Sequence, residues 1–266
     1  NNKFRARIVI LADGGRSGLR EQLGFQVIKQ DYQQTAIVTN VSPTRPHLNT
    51  AYERFTKTGP LALLPMGASG AQSRCAVVWS TAPDQVEKIL SWDDDKFLER
   101  LQSRFGWRLG KFTKIGKRQA YPLHLTKPVD LVKQRVILAG NAAHTVHPVA
   151  GQGFNMGLRD VACLVQVLED AINNGNDIGD EKVLARYAQW RKRDNKMVPL
   201  FTDGLIRIFS NDFPPLALAR NIGLLAVDLC PPLKREFTRR TSGLAGTLPR
   251  LARGLPLREN KQGFAT

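Results

Sequence analysis

Cysteine is scarce in this chain: Cys75, Cys163 and Cys230 lie far apart and form no C-x-x-C pair. That spacing argues against a disulfide framework and a cysteine metal site, and it suits a reducing compartment. Long apolar runs are also missing, and none approaches the ~20 residues that a membrane-spanning helix needs. No signal-peptide pattern is present. Acidic residues are few, with 23 Asp plus Glu against 39 Lys plus Arg and a net charge of +16. The excess is plain in the last third, at Arg191-Lys192-Arg193, Lys234-Arg235, Arg239-Arg240, Arg250, Arg253 and Arg258. Such a balance is compatible with a plain basic surface, an anionic membrane face or nucleic acid. No nucleic-acid motif accompanies it, so nucleic acid is not expected and the membrane face is favoured. Otherwise the composition is ordinary for a globular protein, with 42% hydrophobic residues in 266 and room for one large or two smaller domains.

Against those absences stands one dense stretch, Arg135 to Asp160. It opens with Val136–Leu138, which reads as a buried strand, and passes through the small-residue turn Gly140-Asn141-Ala142-Ala143. Pro148 and Gly151-Gln152-Gly153 then lead into a long amphipathic helix. A strand, a glycine-bearing loop and a helix N-terminus favour a negatively charged ligand, because backbone N–H groups and the helix dipole point the same way. Gly151 and Gly153 let a flat or phosphorylated ligand approach the backbone without meeting a Cβ. A second strand run, residues 5–12, ends in Asp13-Gly14-Gly15-Arg16-Ser17-Gly18-Leu19-Arg20. Taken alone, that is a polar turn into a helix.

The Arg135–Asp160 stretch resembles the second flavin motif of the FAD-dependent aromatic monooxygenases, G-D-A-A-H-x-x-x-P-x-x-G-Q-G-x-N-x-G-x-x-D. Gly140, Ala142, Ala143, His144, Pro148, Gly151, Gln152, Gly153, Asn155, Gly157 and Asp160 match, and Asn141 stands where the family usually has Asp. Ala12-Asp13-Gly14, Ser17 and Arg20 are similar to the same family's A-D-G-x-x-S-x-x-R motif. Tyr52–Thr56, Gly59–Met66, Phe105–Gly110 and Arg220–Leu224 resemble its ubiquinone-biosynthesis branch, most nearly the 2-octaprenyl-6-methoxyphenol hydroxylase group.

The resemblance implies an α/β fold, the C-terminal part of a para-hydroxybenzoate-hydroxylase-like FAD/NAD(P)-binding architecture. Residues 1–30 would be a remnant of the FAD-binding domain and 31–126 an inserted, mostly antiparallel β-sheet substrate domain. Residues 127–180 would carry the second flavin motif and its helix, and 181–266 C-terminal helices and a basic tail. The pattern agrees: Thr35–Val41, Tyr52–Thr56, Leu61–Leu64, Cys75–Ser80 and Lys111–Leu125 read as strands, with a hairpin turn at Gly67–Gly70. Pro83–Leu90 and Asp93–Phe105 read as helices, the second with an apolar stripe of Phe97, Leu98, Leu101 and Phe105. After the motif, Leu158, Val161, Ala162, Leu164, Val165 and Leu168 give a helix a core face, and Asn173-Asn174-Gly175 ends it. The next helix starts near Asp180, and Pro199 should kink or interrupt it. A break at Pro214-Pro215 follows, and the tail from Pro231 is expected to pack poorly.

By the same resemblance, FAD is the cofactor and NAD(P)H the electron donor. O2 and a polyprenylated phenol are the substrates, with other ubiquinone-biosynthesis proteins and a peripheral membrane surface as partners. The implied location is cytoplasmic and peripherally membrane-associated. The implied cofactor-binding residues are Asp13, Gly14, Arg20, Gly140, Asn141, Ala142, Pro148, Gly151, Gln152, Gly153, Phe154 and Asn155. Asn141 keeps an acceptor oxygen while removing a charge beside the diphosphate. No residue is singled out as a catalytic base, and His144 with His147, lacking a third ligand, reads as structural rather than metal-binding. Asp160 reads as a surface or packing residue of its helix. The family's G-x-G-x-x-G segment, which holds the ADP half of FAD, is absent from these residues. With a first residue other than Met, that absence leads to the expectation of a fragment that binds FAD weakly or not at all and is inactive alone. The competing expectation is a non-enzymatic basic module on anionic lipid.

Overall fold

The computed structural model describes residues 3–56, 58–67, 73–209, 213–241 and 247–257. In chain order the elements are β1 (Val9–Leu11), α1 (Gly18–Gln22), β2 (Val27–Pro43), β3 (Tyr52–Thr56), β4 (Gly59–Met66) and β5 (Arg74–Thr81). Then come α2 (Val86–Leu90), α3 (Asp94–Phe105), β6 (Phe112–Ile115), β7 (Gln119–Pro128), β8 (Val132–Lys133) and β9 (Val136–Leu138). The helices α4 (Gln152–Asn173), α5 (Glu181–Phe209), α6 (Pro214–Leu229) and α7 (Pro231–Thr241) complete the order. The chain divides into two compact units, one of residues 1–30, 125–201 and 226–266, the other of residues 31–124 and 202–225.

The first unit is built on a three-stranded sheet in the order β1-β9-β8. β1 and β9 run parallel, with Val9 opposite Val136 and Leu11 opposite Leu138. Parallel neighbours send the loops at their C-terminal ends out of the same edge, so the loop after Leu11 and the loop after Leu138 leave side by side. One more ladder bond, Ala139 N–H to the Leu11 carbonyl at 3.0 Å, carries the pairing to the loop mouths. Ile137, Leu138, Cys163, Val167, Leu184 and Tyr187 form the centre of the core beneath them. β1 is shorter than the run at residues 5–12 suggested, and Val9 and Ile10 are exposed rather than buried. It is an edge strand of its sheet, and apolar sequence by itself does not reveal whether a strand's outer face is covered.

The second unit holds a six-stranded sheet in the order β3-β4-β5-β2-β6, with β7 also paired to β2. The pairings of β2 with β5, β3 with β4 and β4 with β5 are antiparallel. Alternation along β5 sends Cys75, Val77 and Trp79 into the core, where they meet Phe97, Leu101 and Phe105 of α3. Asp93 caps α3 by accepting the Lys96 N–H at 2.7 Å, and acidic residues fill its first turn. The strands and α3 follow the sequence reading, with β2 longer at both ends and the 111–125 run split into β6 and β7. The Gly67–Gly70 turn falls partly on residues 68–70, outside the described residues.

In the C-terminal half, Pro199 does not interrupt α5, and the segment after Pro231 forms a helix, α7, whose residues 231–239 are nearly all exposed, in keeping with the poor packing expected there. In α7 the prolines occupy the first turn, where a missing N–H costs no intrahelical bond, so they start a helix rather than forbid one.

Gly59 opens β4 at φ +122°, and a Cβ there would lie 3.0 Å from the Ser80 Cβ and 3.1 Å from the Ser80 carbonyl. Gly59→Ala is expected to destabilise the chain by about 1–3 kcal/mol. Urea unfolding would show this as a lower midpoint with an unchanged slope.

Candidate functional site

The two adjacent loops of the first unit carry the two motifs, and the structure ties them together. After β1, the Asp13 carboxylate accepts the Ser17 hydroxyl at 2.8 Å, and Ser17 in turn caps α1 by accepting the Arg20 N–H at 3.1 Å. The Arg20 side chain is 1% exposed. It donates to the Ala142 carbonyl of the other loop at 2.8 Å and to the Gly15 carbonyl at 3.1 Å. No carboxylate pairs with it among the described residues, and its Nε has no partner. A positive charge thus sits under the loop mouths, neutralised only by carbonyl dipoles. Gly15 is packed closely there, since an added Cβ would lie 2.9 Å from the Thr145 hydroxyl.

The second loop is held from below by one carboxylate. Gly140 is left-handed at φ +59°, and its N–H donates to Asp160 Oδ2 at 2.8 Å. The same oxygen meets His144 Nε2 at 2.7 Å. Asp160 Oδ1 accepts from Arg191 Nε of α5 at 2.6 Å. Arg191 also pairs with Asp194, which takes a further bond from Arg159 at 2.7 Å. Asp160, His144 and Arg191 are all buried. Burial alone would raise the Asp160 carboxyl, but the His144 bond and charge and the Arg191 guanidinium outweigh it and hold the pKa below 3.8. Burial likewise lowers Arg191, and Asp160 with Asp194 more than reverse it. Tyr187, one turn before Arg191, donates to the Leu138 carbonyl at 2.9 Å, fastening α5 to β9.

Of the two sequence readings of Asp160, surface or packing residue of α4, burial decides for the second, and the residue is the centre of this buried network. Arg191, which the sequence grouped with the exposed basic excess, is 1% exposed. Asp194 was not singled out at all. The signal was present in the spacing: Leu184, Tyr187 and Arg191 stand at i, i+3 and i+7 on one helix face, so the arginine occupies a core position. On α4, Leu158 and Val161 are exposed, and the inward face is Met156, Asp160, Cys163, Leu164 and Val167. Burial and nearby acids push the Cys163 thiol up to about 11, despite Arg191, so it stays a neutral packing group.

The remaining residues singled out from sequence lie around the α4 N-terminus and the loop mouths. Pro148 begins a short 3-10 turn, Val149–Gly151, that runs into α4. Gly151 is left-handed at φ +61°, and no side chain caps the helix there. A Cβ at Gly14, Gly140 or Gly151 would meet nothing within 4 Å, so each borders open space. Asn141, Gly151 and Phe154 are exposed, Gly153 and Asn155 half-buried, and the Gln152 side chain is buried.

Removing one partner from a buried ion pair leaves the other uncompensated, so Asp160→Ala and Arg191→Met should each cost about 3–5 kcal/mol in urea unfolding. His147 offers a separate handle. It is fully buried and accepts the Val149 N–H at 3.3 Å on Nδ1. Burial pushes its pKa from 6.5 down to about 4. The unfolded chain therefore binds a proton that the folded chain refuses between those values. Stability is fully present above pH 6.5 and falls toward pH 4, by up to about 3 kcal/mol. His147→Asn should flatten that fall in denaturation series across this window. The Asp160 contribution is lost only below pH 3.8 and does not overlap it.

Comparison with known proteins places this geometry. The family model described as FAD binding domain matches residues 1–198. The chain is 44% identical over 256 residues to ubiquinone hydroxylase UbiL of Rhodospirillum rubrum, covering 95% of this chain and 59% of that protein. It is 33% identical over 241 residues to the 3-demethoxyubiquinol 3-hydroxylase of Escherichia coli, covering 91% and 60%. Among solved structures, p-nitrophenol 4-monooxygenase PnpA from Pseudomonas putida superimposes with a TM-score of 0.71 at 20% identity, over 90% of this chain and 59% of that one. At that identity the likeness is one of fold alone. The chain spans about three-fifths of the length of these relatives.

Proposed function

The chain belongs to the FAD binding domain family, and on that premise we propose that it is part of a flavin-dependent monooxygenase. Its reaction is hydroxylation of the aromatic ring of a polyprenylated phenol in ubiquinone biosynthesis, with NAD(P)H and O2. The hydroxylase names of relatives at 44% and 33% identity support the reaction class. The observation that carries the reading is the joining of the two motif loops at one sheet edge through Arg20 and the Ala142 carbonyl.

These residues suit FAD. Arg20 supplies a buried cation with no carboxylate partner among the described residues, as a diphosphate-bearing ligand favours. The open space at Gly14, Gly140 and Gly151 lets a ligand reach the backbone. Asp13, Gly14 and Arg20 would form one side of the cradle, with Gly140, Asn141 and Ala142 on the other. Pro148 and the backbone from Gly151 to Asn155, including Gln152, Gly153 and Phe154, would present the positive end of α4 to the cofactor and favour negative charge on it. When bound, FAD accepts electrons from NAD(P)H and activates O2 for transfer of one oxygen atom to an electron-rich ring. The chain's own task is to orient it, with the Asp160 network holding Gly140 and His144 in place. A phenol with a polyprenyl tail partitions into lipid, so the enzyme would work peripherally at a membrane face.

FAD titration by flavin fluorescence quenching tests the reading. A polypeptide in which a G-x-G-x-x-G segment precedes these residues should bind FAD, and the 266-residue chain alone weakly or not at all. Gly151→Val in the longer form should weaken binding by about tenfold or more, because a Cβ would fill the open space and strain a left-handed backbone. Failure of both forms to bind flavin would overturn it.

A further inference from the structure

In the second unit, one face of α3 carries a row of cations at helical spacing. Lys96, Arg100 and Arg104 stand at i, i+4 and i+8, and they share a cavity of about 740 Å³ with Lys88 of α2. Like charges four residues apart weaken a helix when nothing offsets them. Among the described residues Asp84 is the one carboxylate on the cavity wall, so four cations face one acid. The ion pair that α3 makes there is Asp94 with Arg118, outside this cavity, and none of the four cations is paired. Arg104 is fixed in place. It donates to the Thr58 hydroxyl at 2.6 Å and the Thr56 hydroxyl at 3.3 Å, and its guanidinium lies 4.9 Å from the Trp79 ring centre. Burial lowers its pKa, and no acid offsets that. Trp79 belongs to the same wall and is buried, yet its indole N–H has no partner. Trp92 stands beside it with ring centres 6.2 Å apart, and with Ile89 it gives the wall an apolar stretch.

We propose that this cavity binds a phosphorylated small molecule with a flat apolar body, a nucleotide in chemical class, its phosphates on the cation row and its ring against Trp92. The volume lies within the range of about 300–1,000 Å³ usual for small-ligand pockets. Four cations against one acid leave an excess of three positive charges, which a di- or triphosphate matches and a single carboxylate does not. Arginine offers phosphate two parallel N–H bonds and lysine a mobile point charge, so the mixed row suits oxygens at several positions. A buried indole N–H without an acceptor is a donor left unmet in the wall. Depth decides between a small ligand and a large one. The face of an acidic protein would meet the exposed ends of Lys96 and Arg100 but would not fill the space down to Trp79 and the half-buried Arg104. The site lies wholly in the second unit. It goes beyond the proposed hydroxylation and needs no flavin.

The test is isothermal titration calorimetry of the 266-residue chain with ADP, inorganic pyrophosphate and poly-glutamate in turn. ADP should bind, and pyrophosphate more weakly because it has no ring to set on the apolar stretch. Lys96→Gln with Arg100→Gln should weaken ADP binding by about tenfold or more. Circular dichroism of that variant should be unchanged, because both side chains are exposed. Gly151→Val, which alters the motif loops of the first unit, should leave ADP binding as it was. Absence of ADP binding, binding insensitive to the Lys96 and Arg100 changes, binding lost in Gly151→Val, or pyrophosphate binding as tightly as ADP would overturn the proposal. Binding of poly-glutamate without ADP binding would also overturn it and assign the face to an acidic protein. None of these outcomes alters the flavin titration, so the two readings fail separately.

Discussion

One buried carboxylate organises the first unit. Asp160 receives the Gly140 N–H, His144 and Arg191 at distances of 2.6 to 2.8 Å, and it reaches β9's loop, α4 and α5 at once. A carboxylate taken out of water is costly unless its lone pairs are filled, and here both oxygens are. The consequence is geometric. The left-handed Gly140 and the turn to His144 are held by the same oxygen, while Arg191 anchors that oxygen's partner to the next helix. The loop that opens toward the proposed cofactor is therefore set by groups that no solvent reaches.

The second constraint is the parallel pairing of β1 with β9. Strands far apart in sequence become neighbours, and residues 31–124 between them belong to the other unit. Because parallel strands end at the same edge, the Asp13–Arg20 loop and the Gly140–His144 loop meet without any further device. Arg20 then locks them by donating across to the Ala142 carbonyl. Arg20 forms no ion pair among the described residues, so its charge is met there by the Ala142 and Gly15 carbonyls.

Much of this was legible in the sequence. The existence and order of the strands of the sheet unit, though not the ends of β2 or the split between β6 and β7, follow from β-branched runs between glycine and proline turns, and Asp93 announces the start of α3. The two motifs name the loops that come together. What was not legible has a common cause, in that burial depends on partners far away in sequence. Asp160 looks like any charged helix residue until His144 and Arg191 are known to face it. Arg191 sits in a run of cations, and only its register with Leu184 and Tyr187 marks it as interior. Leu158 and Val161 were assigned to a core face because they are apolar, yet the inward stripe runs through Met156, Asp160, Cys163 and Val167, one of them charged.

The central claim is that the two motif loops together form a flavin site. Amide hydrogen exchange with and without FAD, on a polypeptide carrying both these residues and a G-x-G-x-x-G segment, tests it most directly. The account predicts slowed exchange in two places on adding FAD, residues 13–20 and residues 140–155, with the β3–β5 strands unchanged. Flavin bound with no added protection in either loop would contradict it.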